Sequence, residues 1–218
     1  MRSGGIIRTP AALSPDWQLV VGHLVGPGAD VSGADLSFVD LSDANLTGAT
    51  LSGADLLGAN LSFSDLSATN LSGTDLTNAY LGNADLTDAE LRDANLTHAD
   101  LSNSYLQRTD MTGANLLDAD LFGAYMNSVR LTDANLTNAN LNSARLDANL
   151  IGAILNGATY DESTIFRSGN TYEFGSWRLL PHVNASPWDL GMVPSPEPGS
   201  ALMLGLGALP IVAMGRAR

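Results

Sequence analysis

The sequence predicts an all-β fold in which short strands follow one another around a coil. Three observations support this fold class. An apolar residue fills every fifth position from Val31 to Leu146, giving 24 positions with 21 Leu, two Met and one Val. The residue two places earlier is small, and it is Ala in 17 of the 24 cases. The period of five is the third observation. Positions five residues apart are rotated by about 140° around an α-helix and lie on opposite faces of a straight strand. Neither structure therefore places all the leucines on one face.

A corner after each short extended side solves this problem, because every apolar residue then points to one common axis. The small residue two places earlier shares the leucine's face, so Ala and Leu together fill the interior. The other three positions of each unit, usually including Asp or Asn directly before the leucine, face outward.

These units resemble the pentapeptide-repeat family, as in Ala34-Asp35-Leu36-Ser37 and Ala44-Asn45-Leu46-Thr47-Gly48. The resemblance implies a right-handed quadrilateral parallel β-helix with four units per coil. Six coils stacked at about 4.8 Å would make a rod roughly 30 Å long. One residue is missing within Leu146-Asp147-Ala148-Asn149-Leu150, so we expect a bulge there and one further, imperfect coil.

The domain prediction divides the chain into four parts. Residues 1–28 form an N-terminal cap with one or two strands within Trp17 to Val25, and Trp17 covers the open end of the first coil. Residues 29–159 form the β-helix, and residues 160–192 form an aromatic C-terminal cap and linker. Residues 193–218 form a separate tail. Because this tail is of a kind that normally accompanies a signal peptide, we expect the true start to lie upstream of Met1.

Composition restricts the function. The chain has net charge −13, and residues 30–150 alone hold 17 acids and four bases. An acidic rod repels the phosphate backbone, so direct nucleic acid binding is not expected. With no cysteine there is no thiol chemistry, and no nucleophile, metal cluster or cofactor motif is recognisable. The protein is predicted to be non-enzymatic and to need no cofactor or metal.

Two outward columns are candidate binding surfaces, because residues four units apart should stack. Asp35, Asp55 and Asp75 begin a column that continues with three Asn, and they form either a weak cation site or simple corner hydrogen bonds. Tyr105 and Tyr125 stack in a second column, as an aromatic strip for a sugar ring or as a packing surface. Leu57, Leu117 and Phe122 are also predicted to face outward.

The tail resembles the PEP-CTERM sorting signal of bacteria. The matching features are Pro196-Glu197-Pro198, the uncharged run 201–214 and the basic end with Arg216 and Arg218; Pro210 departs from the pattern. As a helix the run would span about 21 Å of the roughly 30 Å hydrocarbon core. The resemblance implies a short C-terminal transmembrane helix, processing by an exosortase, and delivery to the cell envelope or extracellular matrix in association with exopolysaccharide.

Two functions follow. The first is an exported, non-catalytic scaffold or surface protein, with carbohydrate binding by the tyrosine strip as a variant of it. The second is a cytoplasmic DNA mimic, since some pentapeptide-repeat proteins present an acidic rod to the DNA-binding groove of gyrase. The acidic rod favours the mimic, whereas the sorting-like tail and the arginine and tyrosine interruptions favour the scaffold.

Overall fold

The computed structural model describes residues 14–161 and 163–166, together with three two-residue strands further along the chain. Most strand positions in the repeat are single-residue parallel bridges, so only the ends of the rod carry named strands. These are β1 (Gln18–Val20), β2 (His23–Val25), β3 (Tyr125–Arg130), β4 (Arg145–Asn149), β5 (Thr159–Tyr160), β6 (Ile165–Phe166), β7 (Glu173–Phe174), β8 (Trp177–Arg178) and β9 (Val193–Pro194).

The repeat winds as a four-sided parallel coil, in which each unit lies against the unit four repeats further on. Parallel bridges join corresponding residues of these units, as in Asp35 to Asp55 and Asp55 to Asp75, and the same offset recurs on all four sides. The leucines at the repeat positions are fully buried, with Leu36, Leu56 and Leu76 at 0% exposure. The interpretation of the five-residue period as a solid coil of short sides is therefore confirmed.

The unit 54–58 shows how the backbone N–H groups of one repeat find acceptors. The N–H groups of Asp55, Leu56 and Gly58 donate to carbonyl groups of the neighbouring coils, at 2.9, 2.8 and 2.8 Å. The N–H of Ala54 donates to the carbonyl of Leu51 across the corner, at 2.9 Å. The remaining N–H, that of Leu57, donates to Oδ1 of Asp55 at 2.9 Å. Complete pairing explains how such short sides remain ordered.

The corners place one residue of each unit at positive φ. From Gly33 to Ser143, every residue two places after the apolar position has positive φ, and most of these residues are not glycine. At nearly all of these corners, the N–H three residues after the apolar residue donates to the carbonyl of that residue. Positive φ at only the third of four turn residues is the type II pattern. Positive φ at this position is therefore a property of the corner itself rather than of glycine.

A β-hairpin closes the N-terminal end of the rod. β1 pairs antiparallel with β2, and the two-residue loop Val21-Gly22 has φ of 47° and 82°. Trp17 is half-buried and packs against the first coil, with its ring next to Gly26. The predicted strands are confirmed, and the role of Trp17 in covering the first coil stays a prediction that its packing favours.

The missing residue near 147 removes a whole corner. β3 pairs in parallel with β4, and the register advances past Ser128, so Asn127 faces Asp147 while Val129 faces Ala148. The bridge offset is then one residue shorter, as in Asn135 to Ile154. Leu150 and Leu155 return to the core, at 1% and 2% exposure. The predicted bulge and further coil are confirmed, and the bulged residue lies in the coil before the deletion.

Beyond this coil, β4 pairs with β6, β5 pairs with β9, and β7 pairs with β8. Asp161 joins this end to the rod, because its carboxylate accepts the N–H of Ser143 at 2.8 Å and the hydroxyl of Ser143 at 3.0 Å. Within the ranges that the structure describes, no helix has the length and hydropathy needed to cross a bilayer. The predicted membrane segment 201–214 lies outside those ranges.

Candidate interaction surface

The predicted aspartate column exists and has a structural role. Asp35, Asp55 and Asp75 lie one above another through parallel bridges. Each uses Oδ1 to accept the N–H two residues on, at 3.1, 2.9 and 3.0 Å. Hydrogen bonds from the hydroxyl and the N–H of Ser37 lower the pKa of Asp35. Among the described residues no group of His, Asp or Glu is arranged to hold a metal ion.

The same column continues as a ladder of asparagine amides. Nδ2 of Asn115 donates to Oδ1 of Asn95 at 3.4 Å, and Nδ2 of Asn135 donates to Oδ1 of Asn115 at 3.0 Å. Each amide oxygen therefore accepts an N–H group of its own corner, and each amide nitrogen donates to a side chain of the previous coil. The prediction that the side chains of this column form hydrogen bonds at the corners is confirmed. Ligand binding by the three aspartates stays a prediction.

The predicted tyrosine pair is stacked along the rod axis. The ring centroids of Tyr105 and Tyr125 are 5.1 Å apart and the ring planes are inclined by only 8°. The guanidinium carbon of Arg145, one coil further on, lies 4.9 Å from the Tyr125 centroid. This distance is typical of a cation–π contact. The column thus presents two phenol rims and one guanidinium to solvent.

Stacking limits what this strip can bind. The Tyr125 ring lies between Tyr105 and Arg145, so both of its faces are covered. A sugar that packs flat against an aromatic ring requires an open face, and the Tyr105 face that points away from Tyr125 is on the side of Asp85, one coil earlier. Carbohydrate binding by Tyr105 and Tyr125 stays a prediction, and its geometry is less favourable than the sequence suggested.

An ion network on another side was not predicted. Oδ2 of Asp110 accepts from Nε of Arg92 at 2.8 Å and from Nη1 of Arg130 at 3.3 Å. The Asp110 side chain is only 10% exposed. Burial would raise the pKa of Asp110, but hydrogen bonds from Thr112 and Arg92 outweigh burial and lower the pKa to about 2. Arg108 makes a two-point contact with Asp88 at a neighbouring corner.

A cluster of exposed aromatic side chains in the first three coils was also missed. Phe38, Phe63 and Tyr80 are 73%, 63% and 55% exposed, the first two occupying corner positions. Phe38 and Phe63 stand at the two corners that bound one side of the square, and Tyr80 lies on that side. The signal was present in the sequence, because Phe at the fifth position of a unit must point outward.

Charge is unevenly distributed along the rod. The first three coils, residues 29–88, hold nine acidic residues and no Lys, Arg or His. All four arginines of the repeat lie in the later coils. The predicted sorting residues Pro196, Glu197, Pro198, Arg216 and Arg218 lie outside the described ranges.

The profile for pentapeptide repeats matches the chain in eight copies, over residues 28–62, 54–93, 89–127 and 114–159. These matches cover more than half of the sequence. The chain belongs to the pentapeptide-repeat family. Membership implies the predicted right-handed winding, which agrees with the right-handed preference of parallel β connections.

Solved pentapeptide-repeat structures are similar to this family member. HetL, involved in heterocyst differentiation regulation in the cyanobacterium Nostoc sp. strain PCC 7120, shares 33% identity over 62% of this chain and 71% of its own, with TM-score 0.41. A protein from the Arabidopsis thaliana thylakoid lumen shares 34% identity over 47% and 68%, with TM-score 0.38. QnrB1, a plasmid-mediated fluoroquinolone resistance protein, shares 23% over 61% and 72%, with TM-score 0.43. The curated proteins include no match.

Proposed function

We propose that this pentapeptide-repeat protein is a non-catalytic scaffold that acts through its outer surface at the cell envelope or in the extracellular matrix. The solid core is the observation that carries the proposal. The leucines of the repeat are fully buried against alanines, so the rod offers partners an outer surface rather than an internal substrate cavity. The outward aspartates and asparagines are engaged at the corners, as expected for a structural rod.

The C-terminal tail supplies the location in this proposal. Pro196-Glu197-Pro198, the uncharged run 201–214 and the final Arg216 and Arg218 stand in the order of a PEP-CTERM signal. An exosortase-type enzyme would process the chain near Glu197 after the run crosses the inner membrane. The rod would then remain outside, in contact with exopolysaccharide.

Fractionation of a bacterium that carries an exosortase tests this location. The full chain is expected in the membrane, envelope or extracellular fractions, and a chain lacking residues 194–218 is expected to be absent from them. Pro196→Ala combined with Pro198→Ala should impair processing, while the neighbouring control Ser195→Ala should not. The same cytosolic location for the full and shortened chains would reject the proposal.

The second candidate, an acidic DNA mimic that binds an enzyme such as gyrase, is favoured by one specific observation. Nine acidic residues lie in the first three coils. Three coils extend over roughly 14 Å, which gives one acid per about 1.6 Å, close to the one charge per about 1.7 Å of B-DNA. One of the nine, Asp88, is neutralised by Arg108.

A supercoiling assay with gyrase tests the mimic. The purified protein should inhibit at micromolar concentration, and Asp→Asn changes at 35, 55 and 75 should weaken inhibition while preserving each corner Oδ1. The matched control carries the same change at Asp93, Asp100 and Asp120 in the later coils. If micromolar protein has no effect on supercoiling, the mimic is rejected.

A further inference from the structure

We infer that one side of the first three coils is a docking surface for a cationic, amphipathic polypeptide. We call this side the aromatic side and define it by Phe38, Leu57, Phe63 and Tyr80. The inference deepens the proposed function by naming a class of partner for the outer surface. It concerns binding by the rod and is independent of the tail.

The fold places these four residues on one side of the rod and its two corners, although they belong to different units of the sequence. Phe38 and Leu57 stand at one corner, joined by a hydrogen bond from the Phe38 N–H to the Leu57 carbonyl at 2.8 Å. Phe63 stands at the next corner, where its N–H donates to the carbonyl of Gly82 at 3.1 Å. Tyr80 lies on the side between these corners and bridges to Asn60. The cluster therefore spans one side of the rod over three coils, about 10 Å along the axis.

Three of these side chains, Phe38, Phe63 and Tyr80, are exposed, and Leu57 is half-buried. Phe38 rests over Gly58, because an added Cβ at Gly58 would lie 2.8 Å from the Phe38 ring. Even so, Phe38 remains 73% exposed, more than any other large hydrophobic side chain of the described residues. Clustered aromatic side chains ringed by polar ones have the anatomy of a binding hot spot. Such a patch marks an interaction site more often than scattered single residues do.

Charge identifies the chemistry of the partner. Asp40 and Asp43 belong to the same side and corner as the cluster in the first coil, and Asp35 and Asp55 occupy the adjacent side. No Lys, Arg or His lies in the three coils that carry the cluster. This rim attracts basic groups and repels phosphate, anionic lipid and a second copy of the same surface. A polypeptide with apolar residues on one face and Lys or Arg around them fits both features.

Binding of synthetic peptides to the purified full chain tests this inference. The probes are a helical Leu/Lys peptide, an oligolysine of equal charge and a helical Leu/Glu peptide, each followed by fluorescence anisotropy in 0.15 and 0.5 M NaCl. The Leu/Lys peptide should bind about tenfold more tightly than oligolysine, because only it can fill the aromatic side. That difference should persist at the higher salt, which screens charge but not apolar contact.

The variants assign the binding to particular side chains. Phe63→Ser combined with Tyr80→Ser should reduce Leu/Lys binding about tenfold, to the oligolysine level, and leave oligolysine binding unchanged. The matched control is Phe122→Ser, because Phe122 is 42% exposed but lies in the fifth coil. Equal thermal unfolding midpoints would show that all variants are folded.

Three results would overturn the inference. They are equal affinity for the Leu/Lys peptide and oligolysine, an equal loss in Phe122→Ser, and binding of the Leu/Glu peptide. Dimerisation that is lost in the Phe63/Tyr80 variant would assign the surface to a second copy and also reject the cationic partner. None of these results bears on export, which fractionation tests separately.

Discussion

Oδ1 of Asp75 accepts the N–H of Thr77 at 3.0 Å, and equivalent bonds recur beside most of the leucines of the repeat. Asp and Asn serve equally because each offers the same acceptor oxygen at the same distance from the backbone. At the scale of single residues, the abundance of Asp therefore reflects two requirements. The corner needs Oδ1, whereas the second oxygen and its charge are available for the surface.

Replacing Asp75 separates these requirements. Asp75→Ala leaves the Thr77 N–H without its acceptor and should lower the free energy of unfolding by about 1 kcal/mol. Asp75→Asn keeps the acceptor and should leave stability nearly unchanged. Urea denaturation of both variants measures this difference. An equal loss in both would show that the carboxylate charge, rather than the corner hydrogen bond, stabilises the site.

Asp110 makes stability depend on pH in the acidic range. Its pKa is about 2 in the folded protein and 3.8 in the reference state, so the carboxylate stabilises the fold above about pH 4. This contribution, up to about 2 kcal/mol, is lost as pH falls from 4 towards 2.

Asp110→Asn is therefore expected to be less stable than the wild type at pH 7 and to approach it near pH 2. Denaturation at several pH values measures the difference. The control is Asp100→Asn, since among the described residues Asp100 contacts no arginine. If the difference in the free energy of unfolding between the wild type and Asp110→Asn stayed constant from pH 7 to pH 2, Asp110 would not be the source of this pH dependence.

At the scale of elements, the ends and the irregularity of the rod each have a local cause. The first coil is closed by the β1–β2 hairpin and Trp17, which cover apolar residues that would otherwise face water. The coil near 147 lost a corner residue, and the strand before it compensates by bulging at Ser128. Bulging absorbs the deletion because the inward positions keep their alternation on both sides of it.

The hairpin turn carries strain that a substitution can relieve. Val21 has φ of 47° and is β-branched, although a type I′ loop favours Asn or Gly at this position. Val21→Asn should stabilise the hairpin by about 1 kcal/mol. Hydrogen exchange of the β1 and β2 amides would measure the change, and Val21→Ala is the control that removes only the branched side chain. Faster exchange in Val21→Asn than in the wild type would contradict this account.

At the scale of the whole molecule, the rod is a single apolar column inside a strongly acidic surface. Each coil contacts only its neighbours, so stability accumulates coil by coil as in other solenoids. The net charge of −13 opposes this accumulation of stability, because the first three coils hold nine acids and no base of their own, although Arg108 of the fourth coil pairs with Asp88. Arg92 and Arg130 pair with Asp110 in the later coils, and Arg108 reaches back by one coil to Asp88.

Salt should therefore stabilise the protein. Raising NaCl from 0.02 to 0.5 M screens the repulsion and should increase the free energy of unfolding in urea by on the order of 1 kcal/mol. Asp→Asn changes at 35, 40 and 43 should reduce this increase, since they remove repelling charges from the first coil. A decrease in stability with salt would show that the ion pairs outweigh the repulsion.

The sequence alone determined the winding of this protein. A period of five with Leu and Ala two places apart admits only a coil of short sides, and the omitted residue near 147 predicted a bulge, although the bulged residue Ser128 lies one coil earlier. Covalent order fixes these features because they depend on spacing along the chain. Other features required the three-dimensional structure. The recurring positive φ at the corners follows from closing a square with short, equal sides, whatever residue stands there.

Three further arrangements likewise depend on neighbours in adjacent coils. They are the stacking that covers both faces of Tyr125, the buried Asp110 network, and the placement of Phe38, Phe63 and Tyr80 on one side. Only the height of a coil and the width of a side decide whether such residues meet. Spacing along the chain therefore determined what lies inside the rod, and the packing of coils decided which outward side chains act together.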